Sequence, residues 1–434
     1  MSTKKIQGFA CIALTIAALL AAANAHADAV TEGQQRAAEA IKADEAGDHA
    51  KAADIFAQAL ALRPNHPGLT LRLARASARA GREEEALRAL EDYAAMGLKT
   101  DAGHPDFVSL AASPRMAAVR EKLVQNALAT GEVTVAATLD EPRLLAEGIA
   151  VDPETNRIFI GDVHNRRILA IDAAGNKSTL VASGVHGLLG AFGMSWTGGR
   201  LWIASSGMLQ TADLKTGEKG RAGIFAVDAE GRLLKRAILQ APKEEFNLGD
   251  LTVARTGDVY ASDSISGRIY RLAPGASTLH ALIESEEFHS PQGLALSGDE
   301  TTMAIADYSN GIHIVSRDGK THNILPMPPQ TTLHGIDALV RHGRDLIGVQ
   351  NGIDPQRVIL VRMAPGWTAV EGVDVLAANL PDMSEPTLAT IIGEDLVFIG
   401  NGQWSRFGED GMIKGADPFA PTKILRRKLP AARN

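Results

Sequence analysis

Between Glu147 and Ile171 the chain alternates apolar and polar stretches in a form that returns later. An apolar run, Gly148–Val151, passes through the turn Asp152–Arg157 into Ile158–Ile160 and stops at Asp162. A short loop opens a third run, Ile168–Ile171. Three short strands joined by tight turns predict an antiparallel meander. Six passes of this pattern start near Glu147, Phe192, Gly249, Gln292, His334 and Glu385, at spacings of 45, 57, 43, 42 and 51 residues. Repeats of roughly 40–50 residues with four short strands each are what propeller blades need, because one blade cannot bury its own faces. The spacing predicts a six-bladed β-propeller over residues 131–430. The run Val133–Leu139 has no meander of its own and is expected to supply the outer strand of blade six, closing the ring. An open sandwich is the alternative.

Upstream, over residues 32–128, the periodicity is helical. Gly47, Ala52, Phe56, Ala59 and Pro64 mark one helical pair; Leu73, Ala74, Gly81, Ala86 and Leu90 mark a second, with Gly47, Ala52 and Phe56 matched 34 residues on. Small residues let helices approach, glycine allows the turn and Pro64 stops a helix. Over residues 33–98 the pattern resembles the tetratricopeptide repeat, although no Trp starts either copy; a plain helical hairpin is the other reading. The resemblance implies docking of a protein partner on a concave face. Phe107–Asn126 adds helix, with Met116, Val119 and Leu123 on one face, either to cap the stack or to pack on the propeller. The expected fold class is therefore multidomain, a short TPR-like α-helical arm followed by an all-β propeller.

The first 27 residues fall outside this scheme. Lys4 and Lys5, the apolar run Phe9–Ala23 and Ala25-His26-Ala27 read as a secretory signal peptide with a mature start near Asp28, an uncleaved anchor being the alternative. The protein is expected to be periplasmic or extracellular, with no transmembrane segment after the signal is removed. Cys11, the single cysteine, leaves with the leader, so neither a disulfide nor a thiol nucleophile is expected. Loss of Lys4 and Lys5 with no acid takes the net charge from −7 to −9, which argues against a nucleic-acid partner.

In a propeller the starts of the innermost strands and the ends of the second strands surround one mouth of the channel. The starts supply Glu147, Phe192, Gly249 with Asp250, Gln292, His334 and Glu385; the ends supply Asp162, Ser205 or Ser206, Asp263, Asp307, Asn351 and Asn401. His164 and Trp404 lie in adjacent loops, and Trp404 is suited to stacking on a ligand ring, with ordinary inter-blade packing as the alternative. Such a rim of carboxylates, amides and an imidazole suits a small molecule or a divalent cation, since hard cations draw oxygen ligands from several segments. Asp162, Asp263 and Asp307 have turn chemistry as an alternative role. The chain has no G-x-S-x-G, H-E-x-x-H or phosphate loop, and the glycine spacing over Gly187–Gly193 reads as an inter-blade loop.

The stretches EGIAVDP, SPQGLALSGDETTMAIAD and GDLTVARTGDVYASD resemble the senescence-marker-protein/gluconolactonase/luciferin-regenerating family, with NHL-repeat propellers as neighbours. The resemblance spans about residues 131–430. It implies a divalent metal, calcium or zinc, and opening of lactones or related esters. Carried across, Glu147 matches the family's Glu ligand and Asp250 the Asp of an Asn-Asp pair, while Gly249 replaces its Asn and Gln292 a second Asn. His334 falls where the catalytic Asp is expected; Asp337 is nearby but is expected to face otherwise unless the register of blade five is off. The implied metal set is Glu147, Asp250, Gln292, His334 and Glu385, with His334 and Asp337 as catalytic candidates. Two functions follow: an exported binding protein with a docking arm, favoured by the replaced ligands, and a metal-dependent lactonase or esterase.

Overall fold

The computed structural model describes residues 29–239 and 244–433. The expected leader, residues 1–27, lies outside the described residues. The chain forms two compact units: the first runs up to Asn126 and takes in Pro329–Thr332, the second comprises Ala127–Pro328 and Leu333 onward.

The first unit is helical. A helix over residues 29–45 is followed by His49–Leu62, Pro67–Arg79, Glu83–Ala95 and Pro114–Asn126. Gly47 and Gly81 turn the chain between paired helices in the left-handed region, at φ of 82° and 74°. Pro64 lies just past a helix end, and Ala52, Phe56, Ala59, Ala74, Ala86 and Leu90 are buried as the spacing predicts. Helix Pro114–Asn126 packs on helix Glu83–Ala95, and the Asn126 amide donates to the carbonyls of Ala94 and Leu98 at 2.8 and 2.7 Å. Its Met116, Val119 and Leu123 are all buried. Among the described residues no helix is long and apolar enough to cross a membrane.

The second unit is a six-bladed propeller made of six four-stranded antiparallel sheets. Blades one to five cover residues 146–181, 190–238, 248–284, 291–324 and 336–378. Blade six takes three strands from residues 389–428, and strand Thr134–Leu139 pairs with Thr422–Lys428 as its fourth. This latch commits the start of the unit to its last blade, so the ring leaves no open junction. The 57-residue spacing comes from a long loop between Leu201–Ser206 and Ala222–Val227 of blade two. Gly190 and Gly193 are in that blade's innermost strand, Gly190–Trp196, which corrects the loop reading of the glycine spacing.

The core lies between blades. One apolar cluster joins Ala150, Phe159 and Ile168 of blade one to Met194, Ile203 and Phe225 of blade two. Another joins Tyr260 and Ile269 of blade three to Leu294, Met303 and Ile305 of blade four. The innermost strand of blade one is buried on both faces, which is why Gly148–Val151 reads as a continuous apolar run.

In five blades the pairing of the innermost strand with its neighbour is interrupted near its start. The breaks fall between Ala146 and Ile149, Ala191 and Met194, Leu248 and Asp250, Pro291 and Leu294, and Ile336 and Ala338. A bulge bends a strand and re-aims the side chain beside it. Here adjacent bulges nearly touch. A Cβ on Gly148 would lie 1.9 Å from the Phe192 carbonyl oxygen, and one on Gly193 would lie 2.5 Å from the Asp250 Cα. The obstacle is backbone, which cannot swing aside. Gly148→Ala is expected to destabilise the protein by about 1–3 kcal/mol, at the upper end of the range for overpacking. Gly372→Ala, where a Cβ meets nothing within 4 Å, is expected to be close to neutral. Denaturant unfolding of both variants checks this; equal midpoints would refute it.

Candidate functional site

The bulges decide what reaches the channel. The residue just after the start of each interruption is Glu147, Phe192, Gly249, Gln292 or Asp337, one per blade. All five line a cavity of about 350 Å³, and blade six contributes Glu385 and Thr387. Met208, Asn247, Tyr308, Asn351, Gln356 and Trp404 complete the lining.

Two hydrogen-bonded arms face each other here. The indole N–H of Trp404 donates to Glu147 Oε2 at 2.7 Å, and the Trp404 ring lies tilted against Phe192 with centroids 6.3 Å apart. Across the cavity, Tyr308 donates to Asn351 Oδ1 at 2.9 Å and the Asn351 amide donates to Asp337 Oδ2 at 2.7 Å. Glu385 accepts the Ser405 N–H at 3.0 Å, which ties blade six to the loop that carries Trp404. Asp250 does not line the cavity; its Oδ1 accepts the Leu251 N–H at 2.7 Å.

Burial sets the electrostatics. It pushes the Glu147 carboxyl well above the usual carboxylate range, and the charges of Asp337, Asp250 and Glu385 push the same way against the Trp404 hydrogen bond. Asp337 also moves upward by burial, opposed by the Asn351 amide. Asp250 is pushed up to about 8 by burial, against N–H donors from Leu251 and Leu294. Tyr308 moves up by burial, helped by Asp337 and Glu147. Neighbouring carboxyls in a shielded channel cannot all ionise cheaply, so some hold protons near neutral pH.

Several candidates stand elsewhere. His334 precedes the innermost strand of blade five and is not in the cavity lining; its carbonyl accepts the Gln350 amide at 2.7 Å. Asp337 takes the channel position instead, because the bulge falls between Ile336 and Ala338, three residues beyond the start that the apolar pattern suggested. Asp162, Asp263 and Asp307 are fully buried clamps that do not line the cavity. Asp162 accepts the Asn165 N–H and the Arg167 guanidinium. Asp263 accepts the Asn247 N–H, and Asp307 those of His289 and Ser290, so each holds the entry to its own innermost strand. Asn401 likewise accepts the Lys423 N–H, and His164 bonds the Gln210 carbonyl and leans on Phe407. Strand-end turns use carboxylates to satisfy N–H groups.

The metal set fits poorly. Among the described residues no three His, Asp or Glu side chains gather closely enough to hold an ion. Glu147, Asp337, Glu385 and Asp250 each already accept an N–H, and His334 is off the cavity.

Sequence reading missed Met208, Asn247, Tyr308, Gln356 and Thr387. Tyr308 was the most accessible of these, since it directly follows the strand-ending Asp307.

A pH effect follows from Asp250. Its pKa is raised on folding, so its contribution to stability is fully present below about 4 and is lost as pH rises through about 8. Asp250→Asn keeps the acceptor for Leu251 and removes the titration. At pH 9 the variant is expected to be more stable than the parent by an order of a few kcal/mol, and at pH 5 the difference should shrink to roughly 1–2 kcal/mol. Thermal unfolding from pH 5 to 9 checks this, and parallel profiles would refute it.

Residues 45–104 match the tetratricopeptide repeat family. Comparison with curated protein sequences found no match. Among solved structures the chain is similar to a gluconolactonase from Xanthomonas campestris, with 18% identity, a TM-score of 0.48 and coverage of 70% of this chain and 92% of that one. It is also similar to regucalcin, a calcium-binding protein from Agrobacterium tumefaciens, with 17% identity, a TM-score of 0.46 and coverage of 69% and 98%. Luciferin-regenerating enzyme gives 14% identity, a TM-score of 0.47 and coverage of 69% and 98%.

Proposed function

We propose that this is an exported binding protein whose propeller mouth takes a small hydroxylated or amino-bearing ligand and whose helical arm docks a protein partner. The observation that carries the reading is the meeting of Glu147 and Asp337 in one cavity between Trp404 and Tyr308. Both carboxyls are destabilised as anions, and a ligand N–H or O–H donor relieves that cost. Trp404 and Phe192 offer the apolar side against which a ring or carbon chain can lie. For the arm, the support is the tetratricopeptide match. For export, it is the basic, apolar and small-residue pattern of residues 4–27. A mature chain beginning near Asp28, read by mass spectrometry, checks export; an intact Met1 would refute it.

Calorimetric titration with a panel of amino sugars and polyols tests the mouth. Binding is expected, and Glu147→Gln and Trp404→Ala should each weaken it by about tenfold or more, equivalent to about 1.4 kcal/mol. Unchanged affinity in both variants, or no binding across the panel, would remove this reading.

A metal-dependent lactone or ester hydrolase is the second reading. It is favoured by the position of Asp337, which is equivalent to Glu147 in its blade, with a carboxyl lifted above its ordinary range. The Trp404 and Asn351 donors occupy Glu147 Oε2 and Asp337 Oδ2, and each carboxylate has a second oxygen that an ion could use. Turnover of sugar lactones that requires added calcium or zinc and is lost in Asp337→Asn would replace the first reading with this one.

A further inference from the structure

A second cavity, of about 400 Å³, lies between blades four and five. Its walls are the turn Ser297–Thr302, the turn Arg341–Arg344, Gly366 with Trp367, and Arg433. These two turns end the innermost strands Pro291–Leu296 and Ile336–His342, whose first residues include Gln292 and Asp337 of the mouth. At about 3.3 Å per residue the cavity is therefore roughly 15–20 Å along the strands from the mouth, on the other face of the ring.

Its charge is unbalanced. Three arginines line it against one carboxylate, Asp299. Asp299 is turned into its own loop, where it accepts the Ser297 hydroxyl at 2.7 Å and the Thr301 N–H at 3.1 Å. Arg433 is neutralised by Asp345 and Glu371. Arg344 and Arg341 are not. The Arg344 Nε is buried without a hydrogen-bond partner, and its guanidinium has no carboxylate partner among the described residues. Among the described residues Arg341 donates to the Gly343 carbonyl, at 3.1 Å, and has no carboxylate partner. Trp367 stiffens this wall: it is buried, and its indole N–H donates to the Arg344 carbonyl at 2.6 Å.

Guanidinium groups stay charged, and two that lack a carboxylate partner leave donors for a ligand's oxygens to meet. The planar fork of arginine matches the oxygens of phosphate and carboxylate. We propose that this cavity binds a small oxyanion, a phosphate- or carboxylate-bearing molecule, through Arg341 and Arg344, with Trp367 beside it. The site is separate from the mouth and does not depend on the function proposed there.

The test uses the full chain titrated calorimetrically with inorganic phosphate and, separately, with citrate in chloride buffer at neutral pH. Saturable binding of at least one is expected with a Kd of about 1 mM or tighter. The tighter of the two identifies the headgroup. Arg344→Gln should weaken it about tenfold or more, and Arg341→Gln, at an exposed position whose loss should not affect folding, should do the same. Glu147→Gln at the mouth should leave it unchanged. No saturation by either anion up to about 10 mM would overturn the proposal. So would an affinity unchanged from the parent in both arginine variants.

Discussion

The closeness of the innermost strands around the channel governs the rest of the propeller. Six strands must start near one axis, and their backbones come within contact distance of one another. Gly148 against the Phe192 carbonyl and Gly193 against Asp250 show how little room is left. Bulges at these points let the strands converge without colliding; four of them turn a side chain toward the channel, and the one in blade three places Gly249 there. The crowding that shapes the ring thus also creates the cavity and selects its lining.

The same type of residue has two fates in this frame. Asp263 and Asp307, at the ends of second strands, are fully buried yet well supplied with N–H donors, and they secure the entries to the innermost strands. Glu147, Asp250 and Asp337 have fewer donors and sit within reach of each other's charge. A buried carboxylate with enough N–H partners is a structural clamp; one that shares its surroundings with other carboxylates favours the protonated form or a ligand that brings donors. Partnering, more than burial, separates clamp from site.

The sequence by itself determined the architecture. Six returns of an apolar meander required six blades, because each needs neighbours to cover it, and the lone run ahead of blade one had only blade six to complete. The 34-residue spacing of Gly47 and Gly81 fixed the turns of the helical arm. Glu147, Phe192, Gln292, Asn351, Glu385 and Trp404 were legible as mouth residues because strand starts and strand-end loops must face one end of the channel. Only the tertiary structure decided between His334 and Asp337, since a bulge shifts the register by an amount that apolar periodicity does not record. It also turned Asp162, Asp263 and Asp307 inward as clamps and brought Arg341 and Arg344 to one cavity with Trp367. Periodicity reports which face of a strand is buried; which neighbour a polar side chain meets depends on how separate blades are pressed together.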